Sequence, residues 1–190
     1  MTKFYIIRHG QTDYNKALKL QGRLDIPLNE AGMEQAKKMA ENLADVNFDT
    51  IFYSPLIRAK RTADEIFKYH PASKYEEAPA IIERNFGDYE GKTGDVNPPY
   101  YGLWDRKLEQ QAIRNGETID DMEKRVFPFL DELTKKYQGK TICLVCHGGT
   151  GLIIREYFEG APESGNMLDF TPIPNGEALI FEKEALEKIK

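Results

Sequence analysis

The 190-residue sequence predicts an α/β fold, a three-layer sandwich with a mostly parallel central sheet flanked by helices. Three observations lead there. Short apolar runs alternate with helical periodicities, as in layered α/β architectures. The runs Phe4–Arg8, Ile51–Ser54, Ile142–Cys146 and Ala178–Phe181 are apolar on consecutive positions, as in strands buried on both faces. Polar and glycine-bearing segments follow the ends of these runs, where open α/β sheets place their ligand crevice.

The helices between the runs are marked by their ends and stripes. Asn29 sits at an N-cap position, with Leu28 and Met33 placed as a hydrophobic staple. Met33, Ala36, Ala40 and Leu43 follow at spacings of three and four, one buried stripe. Ser54 and Pro55 open a second helix as N-cap and first residue, lined by Leu56, Ala59, Ala63, Ile66 and Phe67. Thr118 and Asp121 form a capping box for a third, with Ile119, Met122, Val126, Phe129, Leu130 and Leu133 facing the core. Pro128 falls inside it and predicts either a kink or two separate helices. A fourth helix is expected after Gly148-Gly149-Thr150, through Leu152, Ile153 and Tyr157.

Between Phe86 and Gly116 the periodicity dissolves into a turn-rich, aromatic stretch holding Trp104, the only tryptophan. No internal repeat, low-complexity tract or linker divides the chain. Residues 1–190 are therefore read as one domain, with 86–116 as a lid within it. No unmatched apolar stripe indicates an oligomeric state.

Hydrophobic residues make up 41% and charged residues 30%, the composition of a soluble globular protein. The apolar runs are far too short for a bilayer-crossing helix, and Phe4-Tyr5-Ile6-Ile7 is too short for a signal-peptide core, so the expectation is a cytoplasmic protein with no membrane partner. The net charge is −5 and no basic block occurs, so nucleic acid is not an expected partner. Any phosphate site must then be built locally from a few convergent arginines. Cys143 and Cys146 form a CxxC within a strand, where positions three apart face opposite ways. They read as two buried, reduced thiols rather than a redox or zinc pair.

The chemistry-bearing residues converge on the predicted sheet edge. Arg8-His9-Gly10 leaves the first strand, Ser54-Pro55 the second with Arg58 just beyond, and His147-Gly148-Gly149 the third. Glu83 follows the apolar stretch Ala80-Ile81-Ile82. Two histidines, two arginines and a carboxyl suit phosphoryl transfer. A neutral imidazole can attack phosphorus, and arginine offers bidentate, always-charged donors to the phosphoryl oxygens. At about 4 Å each such pair is worth roughly 4 kcal/mol at an effective dielectric of 20, against about 1 in water. A few close pairs therefore outweigh a diffuse negative excess. The leaving oxygen needs a proton, which a carboxylic acid can give.

The ordered set RHGQTDYN (8–15), QGRLDIPL (21–28) with Gly32, SPLIRA (54–59) with Arg61-Thr62-Ala63, Glu83 with FGDYEG (86–91), and His147-Gly148-Gly149 resembles the histidine phosphatase superfamily, and within it the phosphoglycerate-mutase-like branch. The resemblance spans nearly the whole chain. It implies a single catalytic domain of the acid-type histidine phosphatases, phosphoric monoester hydrolases acting on a small phosphorylated metabolite. It implies that His9 becomes a phosphohistidine and that Glu83 is general acid, then base. Arg8, Arg58 and His147 would bind the transferring group, Asn15, Gln21 and Gly22 would line the pocket, and the Gly148 N–H would be a further donor. No metal or organic cofactor is expected.

Other readings are carried alongside. A phosphoglycerate mutase shares the machinery, with Arg84 placed to hold a second charged group and 2,3-bisphosphoglycerate as cofactor. Its expected extra basic residues are replaced by the scattered Lys92, Arg106, Lys107 and Arg114, so hydrolysis is preferred. A non-catalytic phosphate-binding scaffold and a zinc hydrolase using His9, His147 and a cysteine are the remaining alternatives. Arg61 is read as structural, His70 as a surface or helix-capping residue, and Tyr89, Tyr100, Tyr101 and Trp104 as packing or substrate contacts alike.

Overall fold

The computed structural model describes residues 1–93, 100–109 and 113–184. Its sheet has five strands, β1 (Thr2–Arg8), β2 (Thr50–Tyr53), β3 (Lys74–Glu77), β4 (Thr141–Cys146) and β5 (Ala178–Lys183), in the order β3-β2-β4-β1-β5. Four run parallel, and β5 pairs antiparallel with β1 at one edge. The expected mostly parallel sheet is thus present. β3 was not anticipated, because Lys-Tyr-Glu-Glu on an edge carries no apolar run. β5 is a correction of another kind: it was read as buried on both faces, yet none of its residues is fully buried and Ile180 is 52% exposed. An edge strand has only one neighbour to cover it.

Among the described residues five α-helices flank the sheet, α1 (Asp13–Lys16), α2 (Glu30–Asn42), α3 (Ile57–Phe67), α4 (Ile119–Lys136) and α5 (Gly148–Glu159). The side-chain alternation of the strands sorts the core into two layers. Tyr5, Ile7, Ile51, Cys143 and Val145 pack with Met39 and Ala40 of α2 and Ala59, Ala63 and Ile66 of α3. Phe4, Ile6, Phe52, Ile142, Leu144 and Cys146 pack with α4 and α5. Cys143 and Cys146 are both buried, free thiols in opposite layers, as their spacing required. Burial pushes the Cys146 thiol up to about 12 and holds both protonated.

The helix ends refine the expectations. Asn29 caps α2 by accepting from the Gly32 N–H at 2.9 Å, but Met33 is only half-buried, and Gly32 and Met39 take its place in the stripe. Thr118 and Asp121 close the predicted capping box on α4. That helix runs unbroken through Pro128, which is exposed, so water can satisfy the carbonyl that the proline leaves without a donor. α3 begins at Ile57 rather than Pro55, with no side-chain cap, and α5 begins on Gly148 itself with His147 at its N-cap. His70 is buried, its ring edge-on to Phe48 at 4.9 Å, not on the surface.

Register then places the site. Arg8 lies opposite Cys146, and Tyr53 opposite Val145, so three parallel strands end level. The next residues out are His9, His147 and Ser54. Gly10 turns β1's exit against α2, where a Cβ would come 2.2 Å from the Gly32 carbonyl oxygen.

The described parts of the 86–116 segment are built into the body. The 3-10 helix Tyr100–Trp104 sets Leu103 and Trp104, both wholly buried, into the α4–α5 core. Arg106 pairs with Glu123 of α4 and with Glu156 of α5. Asn97, Pro98 and Pro99, and the side chains of Tyr100 and Tyr101, lie outside the described residues. No described helix is long and apolar enough to cross a membrane.

Candidate active site

His9 is the first residue beyond β1 and is 2% exposed. Its Nδ1 lies 2.6 Å from the Gly10 carbonyl oxygen. A carbonyl can only accept, so Nδ1 carries the proton and Nε2 holds the lone pair. The Arg58 Nε–H donates to that Nε2 at 3.2 Å. Burial, then the Arg58 and Arg8 cations, hold the imidazole well below its usual 6.5, against the weaker pull of the Gly10 carbonyl. The ring is a neutral imidazole of defined tautomer, whose Nε2 lone pair is chemically able to attack an electrophile.

Arg58, in the first turn of α3, is wholly buried. Its two terminal nitrogens donate to the Leu24 and Gly22 carbonyls, each at 2.7 Å, which fixes the guanidinium plane. Burial lowers its pKa to about 10, leaving it a cation at neutral pH. Gly22 has φ +51°, and a Cβ there would collide with the Glu90 carboxyl at 2.0 Å. Arg8 donates from Nη1 to the Ile173 carbonyl at 2.8 Å. Gly148 brings the start of α5 over its guanidinium, since a Cβ would sit 3.2 Å from Arg8 Cζ.

His147 is wholly buried, its ring 5.1 Å from that of His9. Its Nε2 lies 2.6 Å from Ser54 Oγ, while Nδ1 is buried with no protein partner. Burial and the Arg58 charge lead in holding this imidazole well below 6.5 too. Ser54 was read as a helix cap. Its hydroxyl instead belongs to the site, and only the level strand ends reveal that.

Glu83 faces the N-terminus of α5. Its Oε2 accepts from the Gly149 N–H at 3.0 Å, and its Oε1 from the Thr150 N–H at 3.0 Å and the Arg84 N–H at 2.8 Å. Thr150 also donates its hydroxyl to the Ile82 carbonyl at 2.7 Å, tying the Glu83 loop to the helix. Gly149 permits the approach: a Cβ would lie 2.5 Å from the Trp104 ring and 2.7 Å from Glu83 Oε1. Thr150 had been read only as a helix start.

One cavity is lined by Arg8, His9, Asn15, Gln21, Gly22, Arg58, Glu83 and Gly148, so all but one of the residues singled out from the sequence meet there. The exception is His147, which stands behind this wall against His9. Asn15 Oδ1 accepts from the Thr12 N–H at 3.1 Å in the α1 capping box, and Thr12 Oγ donates to Gln21 Oε1 at 2.8 Å. Lys19, Leu20, Phe86, Trp104, Leu152 and Pro172 also line the cavity and were not singled out, except Trp104 as a possible contact. Arg84 departs from its expected role. It is wholly buried, paired with Glu109 at 2.6 Å and bonded to the Leu103 and Glu117 carbonyls, facing no second ligand group. Arg61 is exposed. Among the described residues no three His, Cys, Asp or Glu side chains form a metal-binding group, so the zinc alternative lacks its ligand set.

Two outcomes follow from the histidines. Since His9 is held well below 6.5, nitrogen-detected NMR should show its Nε2 unprotonated at pH 6.5, where a free imidazole is about half charged; half-protonation there would contradict the cation-flanked burial. Unfolded histidines bind protons below about 6.5 and these do not, so their contribution to stability falls as pH drops through that value. Ser54→Ala should blur the His147 tautomer in the same spectra and weaken phosphate binding about tenfold, with Ser54→Thr restoring both; a Thr variant as impaired as the Ala variant would make the contact mere packing.

The family model of the histidine phosphatase superfamily (branch 1) matches residues 4–182. The chain is 34% identical over 166 residues to the uncharacterized phosphatase PhoE of Bacillus subtilis, covering 86% of this chain and 81% of that one. It is 32% identical over 156 residues to a 2,3-bisphosphoglycerate-dependent phosphoglycerate mutase of Rhizobium meliloti, covering 76% and 74%. A mycobacterial glucosyl-3-phosphoglycerate phosphatase, solved in complex with VO3, superposes with a TM-score of 0.82 at 26% identity, over 94% of this chain and 90% of that one. Sequence, fold and the convergence of His9, Arg8, Arg58 and Glu83 agree: the chain belongs to branch 1 of the histidine phosphatase superfamily.

Proposed function

We propose that the protein hydrolyses small-molecule phosphomonoesters through a phosphohistidine on His9. The observation that carries this reading is the His9 ring itself, buried, neutral, fixed by Gly10 and flanked by two arginines. In the first step His9 Nε2 forms a bond to phosphorus as the ester P–O bond breaks, and the leaving oxygen takes a proton from the Glu83 carboxylic acid. In the second, Glu83 removes a proton from water, the new P–O bond forms, and the P–N bond breaks to release phosphate. Glu83 Oε2 accepts one backbone N–H and Oε1 accepts two, so Oε2 is the oxygen with room to carry the proton.

Arg8 and Arg58 meet the charge on the transferring group. The Arg58 Nε–H that now rests on His9 Nε2 turns to a phosphoryl oxygen when phosphorus takes its place. The unpartnered Nδ1 of His147 and the Gly148 N–H are further donors, and Asn15, Gln21 and Gly22 line the pocket beside them. Water supplies the second step, so the reaction balances without metal or organic cofactor. The finer, acid-type assignment is supported by the lowered His9 pKa, which keeps the nucleophile unprotonated in acid. Two buried free thiols fit a reducing cytoplasm. The chain is read as one catalytic domain, in which Phe86 and Trp104 of the 86–116 segment stand in the wall of the site.

The mutase alternative needs a second grip on a doubly charged cofactor, and Arg84, its expected holder, is engaged with Glu109. Hydrolysis is therefore the better reading. Exchange between 2- and 3-phosphoglycerate, with 2,3-bisphosphoglycerate added, should stay at least tenfold slower than hydrolysis; rapid exchange would reverse the order.

The central test is a matched pair of esters. Glu83→Gln should slow phosphorylation of His9, read in a rapid-quench single turnover, about 10²- to 10⁴-fold from an alkyl phosphate and much less from p-nitrophenyl phosphate, whose leaving group needs no proton, while the later breakdown of the phosphoenzyme slows for both. Rapid acid-free quenching should find label on His9 in that variant. Equal losses on both esters in the phosphorylation step, or no label at any time, would remove the mechanism.

A further inference from the structure

The cations around the cavity are, with one exception, already engaged. Arg8 and Arg58 are anchored on main-chain carbonyls beside His9. Arg84 pairs with Glu109, and Arg125 pairs with Glu117. Lys19 lines the same cavity and is exposed, yet among the described residues its ammonium meets the Tyr14 ring alone, 5.3 Å from the centroid. No described carboxylate pairs with it. Glu83, the one acidic side chain of the cavity wall, is tied to three backbone N–H groups.

The backbone around Lys19 is held with unusual care for an exposed lysine. Its N–H donates to the Tyr14 carbonyl at 2.9 Å, and the Leu20 N–H to the Lys92 carbonyl at 2.8 Å. Lys19 also stands opposite Thr93 in an antiparallel bridge. The preceding residue, Leu18, has φ +53°, a conformation that costs a non-glycine residue on the order of 1 kcal/mol. Leu18 is 77% exposed, so burial of its own side chain does not offset that strain. What the strained turn does achieve is to set Lys19 on the rim and Leu20 in the wall.

We propose that Lys19 receives a carboxylate on the leaving group of the substrate, and so selects phosphomonoesters that carry a second, singly charged anion. This deepens the phosphatase reading and rests on it. A second phosphoryl group would call for the forked, multiple donors of arginine, whereas one lysine matches one carboxylate. The carbon frame between the two anions lies against Leu20, Phe86, Trp104 and Leu152, the apolar part of the wall.

The test compares two esters that differ only at this group: 3-phosphoglycerate and glycerol 3-phosphate, in which a hydroxymethyl replaces the carboxylate. The wild type should favour 3-phosphoglycerate in kcat/KM by about fivefold or more, the scale of a partly exposed ion pair. Lys19→Met should erase that margin through KM and leave glycerol 3-phosphate and p-nitrophenyl phosphate within twofold; Lys19→Glu should invert it. Because the Lys19 ammonium has, among the described residues, only the Tyr14 ring contact, both variants should stay within a few degrees of the wild-type Tm. Equilibrium binding of the same esters to His9→Ala protein, with and without Lys19→Met, reads the margin without turnover. A margin present there, with no hydrolysis by the wild type, would uphold Lys19 and overturn the phosphatase reading. Equal binding of the two esters, or equal losses on both in Lys19→Met, would overturn the role of Lys19.

Discussion

The hydrogen bond from His9 Nδ1 to the Gly10 carbonyl is the constraint on which the rest of the site depends. It costs the ring one nitrogen and fixes the other as the reactive one. The loop that makes it is held from several sides. The Gly10 N–H donates to Thr62 Oγ at 3.1 Å, and Asn175 donates to the His9 carbonyl at 3.0 Å. The missing side chain at Gly10 lets α2 close against the loop from beneath. A nucleophile must arrive within a fraction of an ångström of its target, and contacts from α2, α3 and the segment before β5 together remove the freedom to miss.

Electrostatics then turns an ordinary imidazole into a persistent base. Burial leads the shift at both His9 and His147, and the arginine charges add to it. Those same charges are stable only because main-chain carbonyls of Gly22, Leu24 and Ile173 accept their protons. A carbonyl dipole satisfies a guanidinium without cancelling its charge, as a carboxylate would. Arg58, bonded in this way, keeps its charge beside the cavity. Contrast Arg84, whose charge is met by the Glu109 carboxylate in the buried interior.

The sequence carried the strand ends well, because consecutive apolar residues followed by Arg8-His9-Gly10 or His147-Gly148-Gly149 mark both a buried strand and its exit. Residues whose role depends on a partner far along the chain were harder. Ser54 looks like a helix cap locally and meets His147 only because β2 and β4 end level. Arg84 looks like a ligand-binding cation beside Glu83, since nothing nearby in sequence announces Glu109. Lys19 sits in an exposed turn between motifs and was passed over, its significance resting on a φ value and a cavity wall. His70 was placed outside because its Phe48 contact belongs to a different element. The edge strand β3 lacked any apolar pattern. Each miss is a tertiary contact overriding a local signal.

The use of α5 explains why this site needs two arginines at all. A helix N-terminus beyond a parallel strand is a ready anion site, offering unpaired N–H groups and the positive end of the helix dipole. Here the Gly149 and Thr150 N–H groups are turned on the protein's own carboxylate, Glu83. The helix thus holds the Glu83 carboxylate, the proton carrier of the proposed reaction, and leaves that reaction the Gly148 N–H alone for a phosphoryl oxygen. With net charge −5 the protein supplies no long-range attraction in compensation. In the proposed reaction the charge of the transferring group then falls to the side chains of Arg8 and Arg58, brought in after separate strands, and the two glycines that begin α5 are thin enough to let Arg8, Glu83 and Trp104 close around it.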